Sequence, residues 1–217
     1  ITYSALWNNS SSISGGGIRA ESASSVNVVN STVSNNYTSA DGGGIYATGS
    51  AHVSLSSTTV SGNSADSNGG GIAADSATIS LTNSLLTGNR GVSGGEIENT
   101  DDSSVFNIAG INLFGDSGLS NSQAFSDFIP ALTDITATSD GTTPTTLSAI
   151  VTPLANNGGA TVTHDLVMNS PAINSASNGS CPATDQRGRI RGDGQCDIGS
   201  VEVDESSLFV IPIGNGR

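Results

Sequence analysis

The stretch "DGGGIYATGS" occupies Asp41–Ser50, between "SGGGIRAES" at 14–22 and "NGGGIAADS" at 68–76. Glycine loses more backbone freedom on folding than any other residue, so three in a row, used three times, has to serve a geometric need. The triplets open at Gly15, Gly42 and Gly69, spaced 27 and 27 residues apart, and "SGGEIEN" begins a fourth copy at Gly94. Asn9, Asn36, Asn63 and Asn89 keep nearly the same step, at 27, 27 and 26. The apolar pairs Val26/Val28, Val53/Leu55 and Ile79/Leu81 fall in phase between them. A period in the twenties with several positions in phase is the signature of a solenoid.

The repeat unit is made of strands. No stretch shows the three-and-four apolar spacing of a helix, whereas V-N-V, V-S-L and I-S-L alternate with the period of two expected of a strand. Leucine is too scarce for a leucine-rich repeat, and no helical half is present. About three short strands per ~27-residue rung predict a parallel β-helix, with roughly four rungs in residues 1–115 and a height of about 20 Å. Residues one period apart then stack: Ile18, Ile45, Ile72 and Ile97 as an inward ladder, Ala20, Ala47 and Ala74 beside it. Asn36, Asn63 and Asn89 form a corner ladder joined by side-chain amides. Gly15, Gly42, Gly69 and Gly94 are the turn residues. A phosphate cradle would need a preceding strand and a following helix, and no helix follows. Disorder, the other reading of a Ser/Gly/Asn-rich chain, does not explain phased apolar positions.

Charge narrows the partners. The net charge is −13, lysine is absent, and three of the six arginines fall at 187–191. Such a surface repels nucleic acid and anionic membranes. No run approaches the 18 apolar residues that suggest a membrane span. No cofactor is implied, and calcium is the one ion the acidic corners suggest. The first residues, "ITYSALWNN", align with "VVNSTVSNN" at 28–36, so the chain starts part-way through a rung. It therefore reads as a processed product or fragment with an open β-edge at that rim.

Beyond residue 115 the repeat fades. Residues 116–152 read as an excursion and last coil, 153–203 as a C-terminal cap, and 204–217 as a tail whose apolar Leu208–Ile213 suggests a strand. Cys181 and Cys196 bracket a short polar loop. In an acidic, lysine-free chain they predict a disulfide, worth roughly 3 kcal/mol for a loop of about 16 residues. Zinc is disfavoured, because His52 and His164 are both remote in sequence.

The rungs of the form "GGGI…VSLSSTTVSGNSA" resemble those of bacterial secreted and surface right-handed parallel β-helix proteins, including polymorphic outer-membrane-protein-type repeats. "LANNGGATVTHDL", "NSPAIN", "TDQRGRIR" and "CDIGSVE" make 153–202 similar to a choice-of-anchor Q domain. The resemblance implies an exported, extracellular or bacterial cell-surface protein. Its fold would be a single-stranded, right-handed, pectin-lyase-like solenoid with an irregular, disulfide-closed C-terminal cap. It implies no reaction.

Read from its residues, the cap turns at "NNGG" (156–159) and kinks at Pro171, and Asp185, Arg187 and Arg191 satisfy one another or buried carbonyls. A catalytic role for these three is the sharper alternative. Arg191-Gly192-Asp193 is an integrin-type tripeptide, but Gly-Asp is also ordinary turn chemistry.

Polysaccharide lyases and hydrolases are the main rival among β-helix proteins. A lyase needs clustered carboxylates for a cation and a basic residue, and the repeat region holds only Arg19 and Arg90. A hydrolase needs two facing carboxylates about 5–10 Å apart. Asp41 stacks over Asn68, Thr48 separates Glu21 from Asp75, and Asp101 and Asp102 would point to opposite faces of a strand. No residue is singled out as catalytic. Ice binding is set aside because Thr32, Thr58, Thr59, Thr82 and Thr87 do not share one register. The expectation is a secreted, non-catalytic scaffold in surface architecture or adhesion. It would associate end to end as a homo-oligomer or fibre, or with other surface proteins or polysaccharide. The alternative is a polysaccharide-active enzyme or a carbohydrate-binding module.

Overall fold

The computed structural model describes residues 1–192 and 194–203. Asp193 of the integrin-type tripeptide and the apolar stretch Leu208–Ile213 lie outside them. The chain winds into a parallel β-solenoid of about five turns. All pairing between its strands is parallel, and each turn contributes to up to four sheets.

The first sheet stacks Ile18–Ala20, Ile45–Thr48, Ile72–Asp75, Ile97–Asn99 and Phe125–Ser126. Its register sets Ile18 over Ile45, Ile45 over Ile72, Ile72 over Ile97 and Ile97 over Phe125. The second sheet stacks Ser25–Val29, His52–Ser56, Thr78–Thr82 and Val105–Ala109. Val28, Leu55, Leu81 and Ile108 align on its inner side. The third stacks six strands, from Ala5–Trp7 through Thr32–Ser34, Thr59–Ser61, Leu85–Thr87 and Leu113–Phe114 to Ile135–Thr136. A short fourth sheet turns the Asn corner at Ser10–Ser11, Tyr37–Thr38 and Ser64–Ala65. Ile45, Leu55, Ile72 and Ile79 are fully buried, each worth about 1.5–3 kcal/mol relative to exposure.

Two glycines show why the triplet recurs. Gly42 sits at φ +72°, a left-handed conformation that side chains other than Gly and Asn rarely adopt. Gly44 is fixed by proximity: a Cβ there would lie 2.6 Å from the Gly71 carbonyl and 3.1 Å from the Asn63 side chain.

The coil closes on phenylalanine. Phe106, Phe114, Phe125 and Phe128 meet with ring centroids 5.0–6.0 Å apart. They replace the slimmer Ile and Leu of earlier rungs and plug the core at the end of the last coil. Four of the five phenylalanines in the chain gather here. Past the plug, Ile129 and Leu132 stand 88% and 105% exposed. At the opposite end, Ala5–Trp7, Ile18–Ala20 and Ser25–Val29 are the outermost strands of their sheets.

The disulfide-closed C-terminal module lies along the flank of the coil, over the outer side of the third sheet. It touches every rung it passes: Tyr3 meets Thr184, Thr32 meets Gln186, Thr59 meets Ser200, and Asn83 meets Ser177. Thr32, Ser34, Thr59 and Ser61 point away from the coil interior yet are buried. Thr32 and Thr59 share a register, but Leu85 follows them on the next rung and Thr82 and Thr87 pair elsewhere, so the threonines form no single ladder; the module covers Thr32 and Thr59. On the rungs nearer the plug this contact becomes apolar, with Leu85 and Leu113 packed against Ile150, Leu166, Ala172 and Ile198.

Candidate functional site

The polar groups with the strongest electrostatic demands lie at the Asn corner and at the junction with the flank module. At the corner, each Asn donates its Nδ2 to the Oδ1 of the next: Asn9 to Asn36 at 2.9 Å, Asn36 to Asn63 at 2.9 Å, Asn63 to Asn89 at 2.8 Å. The same Oδ1 atoms accept backbone N–H bonds from the preceding rung. Glu96 ends the ladder. It occupies the third position of the fourth triplet, where earlier copies have glycine, and its Oε2 accepts from Asn89 Nδ2 at 2.6 Å. Glu96 is fully buried, and burial pushes its carboxyl up to about 8, with Asp116 adding to the shift and Arg90 opposing it.

A raised carboxyl pKa in the folded state means that stability falls as pH rises from the ordinary value near 4.5 towards 8. The variant E96Q is expected to match or trail the native chain at pH 5 and to be the more stable one at pH 8.5. Denaturant midpoints at the two pH values read this directly. A gap between the two proteins that does not change with pH would contradict it.

At the junction, Ser34 Oγ lies 2.8 Å from His164 Nε2, and His164 Nδ1 lies 2.6 Å from the Thr152 carbonyl. A carbonyl only accepts, so Nδ1 carries the proton and Nε2 accepts from the Ser34 hydroxyl. Burial lowers the His164 pKa, which favours this neutral form. A Ser–His contact invites a nucleophile–base reading. Here Ser34 is completely buried beneath the module, and a carbonyl rather than a carboxylate holds the far side of the ring. The pair ties the module to the coil. Beside it opens a cleft of about 600 Å³ walled by Leu147, Val151, Leu154 and Val167, with Asn35 and Ser61 at its polar side.

The arginines of the C-terminal module are structural in their contacts. Arg187, 3% exposed, pairs with Asp185 at 2.8 Å and Asp165 at 2.7 Å and donates to the Glu202 carbonyl. The Arg191 side chain is fully buried and pairs with Glu202 at 2.7 Å, also donating to the Asp197 and Gly199 carbonyls. Burial pushes Glu202 up to about 7 against the pull of Arg191. Cys181 and Cys196 are bonded. Asp185 thus binds Arg187 inside the disulfide loop, while the partner of Arg191 comes from beyond it.

Elsewhere the carboxylates are dispersed. Asp41 accepts from the Asn68 backbone and Asp75 from Thr48 and Tyr46. Asp101 and Asp102 fall in a turn rather than a strand. Among the described residues, no three His, Cys, Asp or Glu side chains converge as a metal site, and no helix is long and apolar enough to cross a membrane.

Two segments match a known repeat. Residues 30–48 and 57–75 fit the Chlamydia polymorphic membrane protein repeat. Each runs from the corner before the third sheet, through the Asn ladder and the triple glycine, into the Ile strand of the first sheet. The match covers well under half of the chain and none of the flank module. No curated protein and no solved structure matches the chain. Repeats of this type on a β-solenoid point to a bacterial surface or outer-membrane association.

Proposed function

We propose that this chain is a secreted, non-catalytic β-helix scaffold of the bacterial surface or extracellular matrix, serving architecture or adhesion. The observation that carries the reading is the use made of its reactive groups. Ser34–His164, Arg187–Asp185, Arg191–Glu202 and Glu96–Asn89 are all buried and spent on holding strands and module together. The polymorphic-membrane-protein-type repeats support a surface setting. Within this reading, residues 153–202 are a choice-of-anchor Q-type module that acts as a lateral clamp.

Incubation with a panel of uronate and neutral polysaccharides, with and without calcium, tests the proposal. No new reducing or unsaturated ends are expected. Turnover that disappears on mutating a surface aspartate would overturn it in favour of a polysaccharide-active enzyme.

Self-association is a second part of the proposal. Stacked parallel strands suit end-to-end association by strand addition, as a homo-oligomer or fibre. Light scattering that reports a monomer at all concentrations would remove this part.

A further inference from the structure

The outward row Ser34, Ser61 and Thr87 runs in register up the third sheet. Two of its hydroxyls are spent. Ser34 Oγ meets His164 Nε2 at 2.8 Å, and Thr87 Oγ1 donates to the Gly115 carbonyl at 2.8 Å. Ser61 lies between them, 2% exposed, and its hydroxyl has no hydrogen-bond partner among the described residues. Buried polar groups almost always find a partner, and one left without it costs stability. This hydroxyl belongs to a residue that points away from the coil interior and lines the cleft of about 600 Å³.

The way the cleft is roofed explains the gap. Residues 147–154 and the stretch around Val167 form the cover, joined by the Val151–Leu166 bridge. The cover rests on the third sheet at either side of Ser61. On one side His164 meets Ser34. On the other Leu147 packs over Gly88, where a Cβ would lie 2.8 Å from Leu147 Cδ2. Ser61 falls under the span between these two supports. Asn35 stands beside it, its backbone N–H donating to the Ser61 carbonyl at 3.1 Å, and the Asn35 carboxamide has no partner among the described residues either.

Two unspent neutral donors therefore lie on the sheet side of a cleft whose other walls are Leu147, Val151, Leu154 and Val167. No Asp, Glu, Lys or Arg among the described residues lines it. The volume, the apolar walls, the few convergent polar groups and the position at a seam between two units are those of a small-molecule site. We propose that this cleft binds an uncharged, largely apolar small molecule whose carbonyl oxygen accepts a hydrogen bond from Ser61 Oγ, with Asn35 beside it at the exposed side. Such a site goes beyond the scaffold reading and does not depend on it.

Equilibrium dialysis of the whole chain against two probes tests the assignment. One is 2-acetylnaphthalene. The other is 2-isopropenylnaphthalene, which has the same shape with a CH₂ group in place of the carbonyl oxygen. Saturable binding of the ketone, one molecule per chain, is expected. Ser61→Ala is expected to weaken the ketone about fivefold or more and to leave the alkene unchanged or tighter. Val167→Trp fills the cleft and is expected to abolish binding of both. Unchanged circular dichroism establishes that each variant folds, and if V167W does not, S61A alone decides. The assignment is overturned by absence of saturable ketone binding, by an S61A variant that changes neither probe or weakens both alike, or by a folded V167W variant that still binds the ketone. None of these results bears on the scaffold reading, which the polysaccharide incubations test separately.

Discussion

Alanine at Asn63 is expected to cost about 4 kcal/mol or more, at the upper end of what single substitutions do. Asn63 is fully buried, accepts from the backbone N and Nδ2 of Asn36, and donates to Asn89 Oδ1 and the Val33 carbonyl. Truncation leaves these partners unpaired in the interior, and each such group costs about 1–3 kcal/mol. Asn9 supplies the control. It is exposed, and its side chain bonds to Asn36 alone, so N9A is expected to cost less than about 1 kcal/mol. Equilibrium denaturation of the two variants decides the matter. Equal losses would mean that the corner amides are decoration and that the coil is held by its apolar ladders.

The second large effect is expected at the plug. Phe114 is fully buried, stacks in register over Leu86, and meets Phe125 and Phe128 edge-on. Truncating a buried phenylalanine to alanine costs about 3–5 kcal/mol, part of it for the cavity left behind. Two properties of this site favour the high end. The ring lies near the end of the coil, with only the two-residue strand Ile135–Thr136 paired beyond it, and the rings of Phe125 and Phe128 lean on it. Phe114→Leu, which keeps the side-chain type found one rung earlier, is expected to recover more than half of the loss. Denaturant unfolding monitored by circular dichroism measures both. A loss below about 1 kcal/mol for F114A would show that the end of the coil is closed by something other than the aromatic cluster.

The parts of this architecture that repeat were legible in the sequence, and the parts that occur once were not. Ile18, Ile45 and Ile72 announce their stacking because the same side chain returns at the same interval, and Asn36, Asn63 and Asn89 do so for the same reason. The flank module has no such signal. Gln186 reaches Thr32 across 154 residues, and His164 reaches Ser34 across 130. Neither pairing has any periodicity to reveal it. Polarity itself misleads at Thr32, Ser34, Thr59 and Ser61. They alternate with inward valines as solvent-facing residues do, and only the module above them makes them interior. The plug left a trace: Phe106, Phe114, Phe125 and Phe128 fall close together in a chain otherwise poor in aromatics. Glu96 left another, as the single letter by which the fourth triplet departs from the first three.

That letter also sets where the column can grow. Along the Asn corner each rung bonds only to its immediate neighbours, so a duplicated unit spliced in ahead of Asn89 would find the same amide below and above it. The shaft would lengthen by about 4.8 Å per added copy. A unit spliced in after Glu96 would instead meet a terminal carboxyl where the next amide is wanted. Glu96 is the full stop of the ladder, and length variation among chains of this design is expected to accumulate on one side of it.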